Sequence, residues 1–95
     1  MKAYWIAVYK DMKNPENIKK YAEKASPAIK KYKGTILARG GKVETIEGNP
    51  SPRTVLIQFS TMEDALNCYN SSEYQEAMKI GNGEFNRHIQ IVEGV

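Results

Sequence analysis

The sequence predicts an α+β fold of order β-α-β-β-α-β, in which an antiparallel sheet carries its helices on one face. Three segments rich in aromatic and β-branched residues, 3–9, 53–59 and 87–93, have the composition of strands. The stretches that become helices place apolar residues at steps of three and four, which is the spacing of a helix with one buried face. This order is that of the split βαβ, or ferredoxin-like, arrangement. A length of 95 residues suits a single such domain, spanning residues 1–95.

The first half of the chain is predicted to begin with a strand and a long helix. The strand Ala3–Tyr9 is followed by Asn14-Pro15, a helix N-cap with proline at the first helical position, where its missing N–H is tolerated. Further along, Pro27 removes a backbone hydrogen bond and crowds the preceding turn. We therefore expect a kink at this point, or a restart of the helix with Ser26 as its cap.

Glycines are expected to shape the second strand and the turn before it. Gly34 is placed to end the helix in the left-handed conformation. Residues 35–38 and 43–47 both have strand composition, and two glycines lie between them, at 40 and 41. The sequence therefore predicts one long second strand with a bulge or bend at the glycines. Residues 47–52 have the composition of a turn.

The second half is predicted to hold the strand 53–59, two helices and the last strand. Residues 60–63 match a capping box, in which the Ser60 hydroxyl and the Glu63 carboxylate each accept a hydrogen bond from an exposed backbone N–H. Asn70-Ser71-Ser72 interrupts the helix, and a short helix begins at Glu73. The residues expected to face the core from these helices are Met62, Ala65, Leu66, Tyr69, Tyr74, Ala77 and Met78.

The strands do not alternate between apolar and polar residues, as an antiparallel sheet with one face in water should. Helices cover only one face of such a sheet, and a large exposed apolar patch is uncommon on a monomer. Because twofold dimers are the commonest assembly, we expect a homodimer through the sheet face. The first strand illustrates the pattern, with Tyr4, Ile6 and Val8 on one face and Trp5, Ala7 and Tyr9 on the other.

The composition excludes several functional classes. The net charge of +3 conceals 11 basic and 3 acidic residues in segment 1–42, against 3 and 8 in segment 43–95. The basic residues of the first segment are mainly lysines at helical spacing, which is typical of a solvated helix face and not of a nucleic-acid surface. No apolar run approaches the about 20 residues that span a bilayer. A single cysteine, Cys68, forms no internal disulfide. We expect a cytoplasmic protein without nucleic-acid or membrane partners.

Four segments carry a resemblance to a known family. They are Tyr4-Trp5-Ile6-Ala7, then Tyr32-Lys33-Gly34 with Leu37-Ala38-Arg39-Gly40-Gly41, then Ser72-Glu73-Tyr74-Gln75, and finally residues 91–95. The sequence resembles the bacterial domain-of-unknown-function family 1330, within the dimeric α+β barrel superfamily. This resemblance implies a ferredoxin-like protomer whose sheet packs against the sheet of a partner. Superfamily relatives include cofactor-free monooxygenases, haem-degrading enzymes, lactone isomerases and stress-response proteins, and the fold does not choose among them.

Two polar residues are candidates for chemistry. Arg39 stands beside Gly40-Gly41, where a bend in the backbone would leave its guanidinium free to hold a carboxylate or phenolate. The alternative is a structural arginine paired with Glu44, Glu47 or a dimer partner. His88, the one histidine, is a candidate general base at a pocket edge. The alternative is a surface residue near a strand start. Haem ligation is not expected, since the histidine of haem-degrading relatives lies on a helix.

Aromatic side chains are the candidates for an apolar binding site. Trp5, Tyr21 and Tyr69 are the predicted ligand-binding residues, since a cavity between sheet and helices lined by aromatics accepts a flat organic molecule. Tyr32, Tyr74 and Phe59 share this pattern. The alternative is that all six belong to the core. The sequence contains no metal-ligand spacing, phosphate loop or nucleophile motif, so no metal or cofactor is expected.

Two functions remain open from the sequence, which does not decide whether the protein is an enzyme. The first is a site for a small anionic or aromatic molecule, with Arg39 orienting the anionic group, His88 exchanging a proton and tyrosines holding the apolar body. An enzyme built on this site would be a cofactor-independent oxygenase or isomerase. The second function is that of a non-catalytic dimer, either a ligand-binding or a stress-response protein.

Overall fold

The computed structural model describes residues 1–95 and consists of a four-stranded antiparallel sheet with three helices against one face. The strands are β1 (Ala3–Met12), β2 (Thr35–Arg39), β3 (Arg53–Phe59) and β4 (Phe85–Glu93), in the sheet order β2-β3-β1-β4. The helices are α1 (Pro15–Lys31), α2 (Met62–Asn70) and α3 (Ser72–Gly81). The ferredoxin-like order is confirmed, as is the break between the last two helices. No helix combines the length and the apolar character that a membrane span requires.

The core lies between the helices and the sheet face that carries Trp5, which we call the inner face. Trp5 is almost fully buried on β1 and lies opposite Ile57 of β3 and Ile91 of β4. Its ring meets that of Tyr74 on α3 edge-on, with the centroids 5.1 Å apart. Phe59 completes this aromatic centre, with its ring centroid 6.0 Å from Trp5. The inner face is therefore closed by large side chains that sheet and helices contribute jointly.

The helix α1 differs from its prediction near its end. It runs through Pro27 as one element and does not restart, and Ser26 is not a cap. The Ser26 hydroxyl instead donates to the carbonyl of Ala22, 2.9 Å away, one turn earlier. The left-handed residue after the helix is Lys33, with φ of 68°, and not Gly34. The chain therefore reverses here without using the left-handed conformation that glycine adopts readily.

The long second strand predicted from the sequence is also wrong. The strand β2 ends at Arg39, and residues 43–47 form neither helix nor strand. Gly40, with φ of 73°, turns the chain at this point, and Ile46 is 85% exposed. Since β2 lies at the edge of the sheet, these residues find no neighbouring strand within the chain. The irregularity of β2 falls earlier, between Ile36 and Ala38.

Smaller differences concern the bounds of β1 and β4 and the first turn of α2. The strand β1 extends to Met12, and β4 begins two residues before its predicted start. The N-cap of α2 is Thr61, whose hydroxyl accepts from the backbone N–H of Asp64, so the cap lies one residue beyond the predicted Ser60. On α2, Cys68 is buried, while Leu66, predicted to face the core, is 46% exposed.

No helix covers the other side of the sheet, which we call the outer face. Tyr4, Ile6 and Val8 of β1 are only partly buried there, as is Leu56 of β3. Val92 of β4 is 47% exposed on the same face, since it pairs with Tyr4. The apolar outer face predicted from the strand pattern is thus present.

Candidate functional site

Two arginines and a tyrosine form a row across the inner face, near the end of the sheet. Tyr9 on β1 lies opposite Arg53 of β3 and opposite Arg87 of β4. Because residues that lie directly opposite each other share a face, all three point towards the helices. Both guanidinium groups approach the Tyr9 ring, at 5.8 Å for Arg53 and 5.5 Å for Arg87. A register shift in β1 immediately follows Tyr9, and such irregularities are frequent beside binding sites.

Arg87 is surrounded by tyrosine hydroxyls. One terminal nitrogen, Nη1, donates to the hydroxyl oxygens of Tyr9 at 2.9 Å and Tyr21 at 3.0 Å. The other, Nη2, donates to the hydroxyl of Tyr74 at 2.8 Å and contacts the Met78 sulfur at 3.2 Å. The hydroxyls of Tyr21 and Tyr74 are also hydrogen-bonded to each other. We refer to Arg87, Tyr9, Tyr21 and Tyr74 as the arginine–tyrosine cluster.

Arg53 and Arg39 approach the same region from the other side. The buried Nε of Arg53 has no hydrogen-bond partner. A Cβ at Gly40 would lie 2.9 Å from Nη1 of Arg53, so a residue without a side chain lets this guanidinium lie against the backbone. Arg39 reaches α1, where its Nη1 donates to the Ser26 hydroxyl at 3.0 Å.

These arginines line one interior cavity of about 30 Å³ between α1 and the sheet. The chain contains only three arginines, Arg39, Arg53 and Arg87, and all three border this cavity. No aspartate, glutamate, histidine or lysine borders it, and the remaining lining is apolar apart from three tyrosines and Ser26. The cavity thus combines three cations with hydroxyl groups and an apolar wall.

A wider open cleft of about 440 Å³ adjoins the cavity. Arg39, Arg53, Ser26 and Ala22 border both spaces and therefore form the passage between them. The cleft adds both apolar and charged groups, namely Met12, Pro15, Ile18, Lys19 and Glu23. The site is therefore a broad, solvent-open mouth that narrows to a small cationic interior.

The tyrosine hydroxyls that border the cavity are neutral, and its arginines form no ion pair with an acidic residue. Burial raises the pKa of Tyr21 above its ordinary value, although the nearby Arg87 opposes the shift. Burial also raises the pKa of Tyr74. Both hydroxyls are consequently protonated at neutral pH and available as donors. None of the ion pairs in the structure, Lys31–Glu73, Lys42–Glu44 and Lys79–Glu76, involves an arginine.

A family model of proteins described as a domain of unknown function matches residues 2–95, nearly the whole chain. The chain belongs to DUF1330. The family description gives no activity, and no protein with a curated description matches the sequence.

Solved structures similar to this DUF1330 chain share its fold at low sequence identity. A protein of unknown function from Rhodopseudomonas palustris aligns with a TM-score of 0.79 and 10% identity, over 99% of this chain and 82% of that one. A dimeric ferredoxin-like protein of unknown function from Bacteroides fragilis gives 0.58 and 15%, over 98% and 96%. A protein from Caulobacter crescentus, provisionally named an antibiotic biosynthesis monooxygenase, gives 0.63 and 11%, over 99% and 90%. These likenesses show the fold.

The predicted site residues of the DUF1330 chain are only partly brought together. Trp5 and Tyr21 border the cavity, and Arg39 stands at its mouth. Tyr69 does not border it, and instead packs against the Trp5 ring at a centroid distance of 5.8 Å. His88 lies opposite Val8 on the outer face, 3.1 Å from Gln90, with the sheet between it and the cavity.

The cysteine and two of the other three aromatic candidates lie outside the cavity lining. Cys68 is buried, and burial raises its pKa to about 11, which disfavours the reactive thiolate form. Tyr32 and Phe59 do not border the cavity, whereas Tyr74 does.

Three residues of the DUF1330 cavity were missed as site residues, namely Tyr9, Arg53 and Arg87. Each is in phase with a buried strand face. Tyr9 follows Trp5 and Ala7 at steps of two, Arg53 precedes Val55 by two, and Arg87 precedes Ile89 by two. A strand places every second side chain on one face. A charged residue in phase with an apolar face was therefore the available signal.

Proposed function

We propose that this protein binds a small anionic molecule with an aromatic or apolar body, in the cleft and cavity between α1 and the sheet. One observation carries the proposal: all three arginines of the chain border one cavity, and no carboxylate borders it. Arg39 is exposed at the mouth, whereas Arg53 and Arg87 are partly buried without an acidic partner, and a buried charge requires compensation. A ligand carboxylate or phenolate would supply it, and guanidinium groups bind such anions in a two-pronged geometry.

The apolar part of the ligand has a place in the same site. Trp5, Ile57 and Val55 line the interior, and Ile18 with Met12 lines the cleft. Binding pockets for small molecules are commonly apolar with a few polar groups that fix orientation. Arg39, at the border of both spaces, is well placed to orient the anionic group as it enters.

A thermal-shift screen of small aromatic and hydroxy acids tests the proposal. At about ten times Kd, a ligand of the native state adds about 1.4 kcal/mol, which for a chain of this size raises Tm by about 5 °C or more. We expect the shift to fall in Arg39→Ala, because one anion-binding group is lost. Lys42→Ala is the matched control, since Lys42 pairs with Glu44 and borders neither space. Absence of any stabilising acid would contradict the proposal, and an unchanged shift in Arg39→Ala would contradict the role given to Arg39.

An enzymatic role is the second candidate, as a cofactor-independent oxygenase or isomerase. It is favoured by the arginine–tyrosine cluster, because protonated hydroxyls and a guanidinium are the groups that stabilise a developing enolate or phenolate. His88, the residue proposed from the sequence for proton exchange, lies on the outer face. The one carboxylate that borders the cleft is that of Glu23. Incubation with ligands from the screen, followed by oxygen consumption and product analysis, tests this candidate. Without turnover, the non-catalytic alternative, a ligand-binding or stress-response dimer, stands.

A homodimer through the outer face forms part of the proposal. The partly exposed apolar residues of the outer face, Ile6, Val8, Leu56 and Val92, form a surface that a second copy of the sheet would cover. The related fold from Bacteroides fragilis is described as dimeric, which supports this arrangement. A cytoplasmic location, to which the free and buried Cys68 is suited, completes the proposal.

A further inference from the structure

The arginine–tyrosine cluster contains more hydrogen-bond donors than the protein provides acceptors for. Each tyrosine hydroxyl oxygen accepts a hydrogen bond from Arg87, so each hydroxyl proton still needs an acceptor. The bond between Tyr21 and Tyr74 uses one of these protons. The proton of Tyr9 and the remaining proton of the Tyr21–Tyr74 pair have no acceptor in the protein. The cluster therefore offers two hydroxyl donors, close to a cation, to a ligand that accepts hydrogen bonds.

The charge of the cluster indicates what kind of hydrogen-bond acceptor it would bind. Arg87 is partly buried, and the aromatic ring of Phe85 lies 4.5 Å from its guanidinium, yet no carboxylate contacts it. Across the Tyr9 ring lies a second guanidinium, that of Arg53. Hydroxyl oxygens and aromatic rings partly stabilise this positive charge without neutralising it. An anion would neutralise it and would also accept the free hydroxyl protons.

The dimensions of the cavity narrow the class of anion. A volume of about 30 Å³ holds about two water-sized groups, at about 10–15 Å³ each. Two such groups correspond to the two oxygens of a carboxylate. A tetrahedral phosphate or sulfate group, with four oxygens, is larger and fits this space less well. The rest of the ligand would extend past Arg39 and Arg53 into the open cleft.

We infer that the arginine–tyrosine cluster is a receptor for a carboxylate group, and that the ligands of the site are carboxylic acids with an apolar body. This inference rests on the ligand-binding function proposed above and names its substrate class. Arg87 is the principal binding residue, with the Tyr9 hydroxyl as a second donor. Arg39 then acts at the passage between cleft and cavity, and not as the principal residue that binds the carboxylate.

Ligand-observed NMR with matched acids and amides tests the inference. The probes are benzoate and cyclohexanecarboxylate, each compared with its primary amide, which keeps the shape and lacks the charge. We expect the wild-type protein to bind the acids at least about tenfold more tightly than the amides, as expected for hydrogen bonds to a charged group. Inorganic phosphate should not compete.

Substitutions within the cluster localise the effect. Arg87→Lys retains the charge and loses the fork of donors, and we expect it to abolish the preference for acids. Tyr9→Phe is a milder change that keeps the ring, and we expect it to weaken acid binding about fivefold while amide binding changes less than twofold. Tyr4→Phe removes a hydroxyl from the outer face and is the control, with unchanged affinity for both probes.

The outcomes separate the inference from the proposed function. Equal affinity for acids and amides, competition by phosphate, or acid binding unchanged in Tyr9→Phe and lost in Arg39→Ala would each overturn the carboxylate receptor while leaving a ligand site intact. If neither acids nor amides bind the wild type, both the receptor and the proposed function are wrong. If Arg87→Lys does not fold, the response of Tyr9→Phe decides alone.

Discussion

Gly34 lies where the end of α1 meets the core, and its lack of a side chain is a matter of space. A Cβ at this position would lie 2.6 Å from Cγ2 of Ile29 and 2.9 Å from Cε1 of Phe59, both side chains of the packed core. We therefore predict that Gly34→Ala lowers the free energy of unfolding by about 1–3 kcal/mol through overpacking. Gly41→Ala is the control, because a Cβ there meets nothing within 4 Å. Urea denaturation of both variants measures the difference, and equal stabilities would contradict the packing argument.

The buried tyrosines predict how stability depends on alkaline pH. The pKa values of Tyr21 and Tyr74 are raised by burial above the ordinary 10.0, so above that pH the folded protein retains protons that the unfolded chain releases. Their contribution to stability is therefore complete below pH 10 and is lost as the pH rises further. Urea denaturation between pH 7 and pH 11 should show this fall, with a shallower slope in Tyr74→Phe. Identical slopes in both proteins would mean that the tyrosine does not titrate in the expected way.

At the scale of residues, the sequence identified only part of the candidate site. Trp5, Tyr21 and Arg39 were predicted, because aromatic spacing and the neighbouring glycines mark them. Arg87 was missed because its partners lie far away along the chain: Tyr9 is 78 residues distant and Tyr21 is 66. The sheet register brings Arg87 to Tyr9, and the packing of α1 on the sheet brings Tyr21 to both. A single sequence specifies neither.

The first turn of α2 offers a test at the scale of elements. The structure makes Thr61 the N-cap, since its hydroxyl accepts from the Asp64 N–H at 3.0 Å, whereas the sequence pattern favours Ser60. We predict that Thr61→Ala lowers the free energy of unfolding by about 1 kcal/mol, the usual effect of losing a cap. Ser60→Ala should change it by less than about 0.5 kcal/mol, as exposed substitutions do. If Ser60→Ala is the more destabilised variant in urea denaturation, then Ser60 is the N-cap and the capping box predicted from the sequence is correct.

The elements themselves were largely predictable, and the exceptions share a physical cause. The strand β3 has the predicted bounds, because its β-branched run is bounded by Pro52 and by the polar residues after Phe59. Residues 43–47 have the same local preference and form no strand, since no neighbour is available to pair with them beyond the edge strand β2. Strand formation depends on a partner, whereas helix capping and periodicity are local.

The assembly state is the prediction that belongs to the whole molecule. We expect sedimentation at micromolar concentration to give a species of twice the chain's 10.7 kDa, because the outer face is apolar and uncovered. Ile6→Glu should convert it to the monomer, since a charge in the middle of the interface is left unpaired. Leu66→Glu places the same charge on an exposed apolar residue of α2 and should leave the dimer intact. A wild-type species of 10.7 kDa would refute the dimer.

At this scale the fold class followed from the order of elements, and the apolar outer face followed from the strand pattern. The position and full lining of the cavity followed from neither, although the aromatic spacing predicted part of that lining. Its position depends on how far α1 stands from the sheet and on which large side chains fill the space between them, such as Trp5 and Tyr74. Those distances result from packing throughout the core, which local patterns do not contain.

The narrow passage between the open cleft and the inner cavity also bears on how fast a ligand is exchanged. Arg39 and Arg53 border both spaces, so a molecule that moves inward passes both side chains. Association that requires such a rearrangement is slower than diffusional encounter. The observed rate of binding is therefore expected to level off at high ligand concentration, at the rate with which the two arginine side chains move apart.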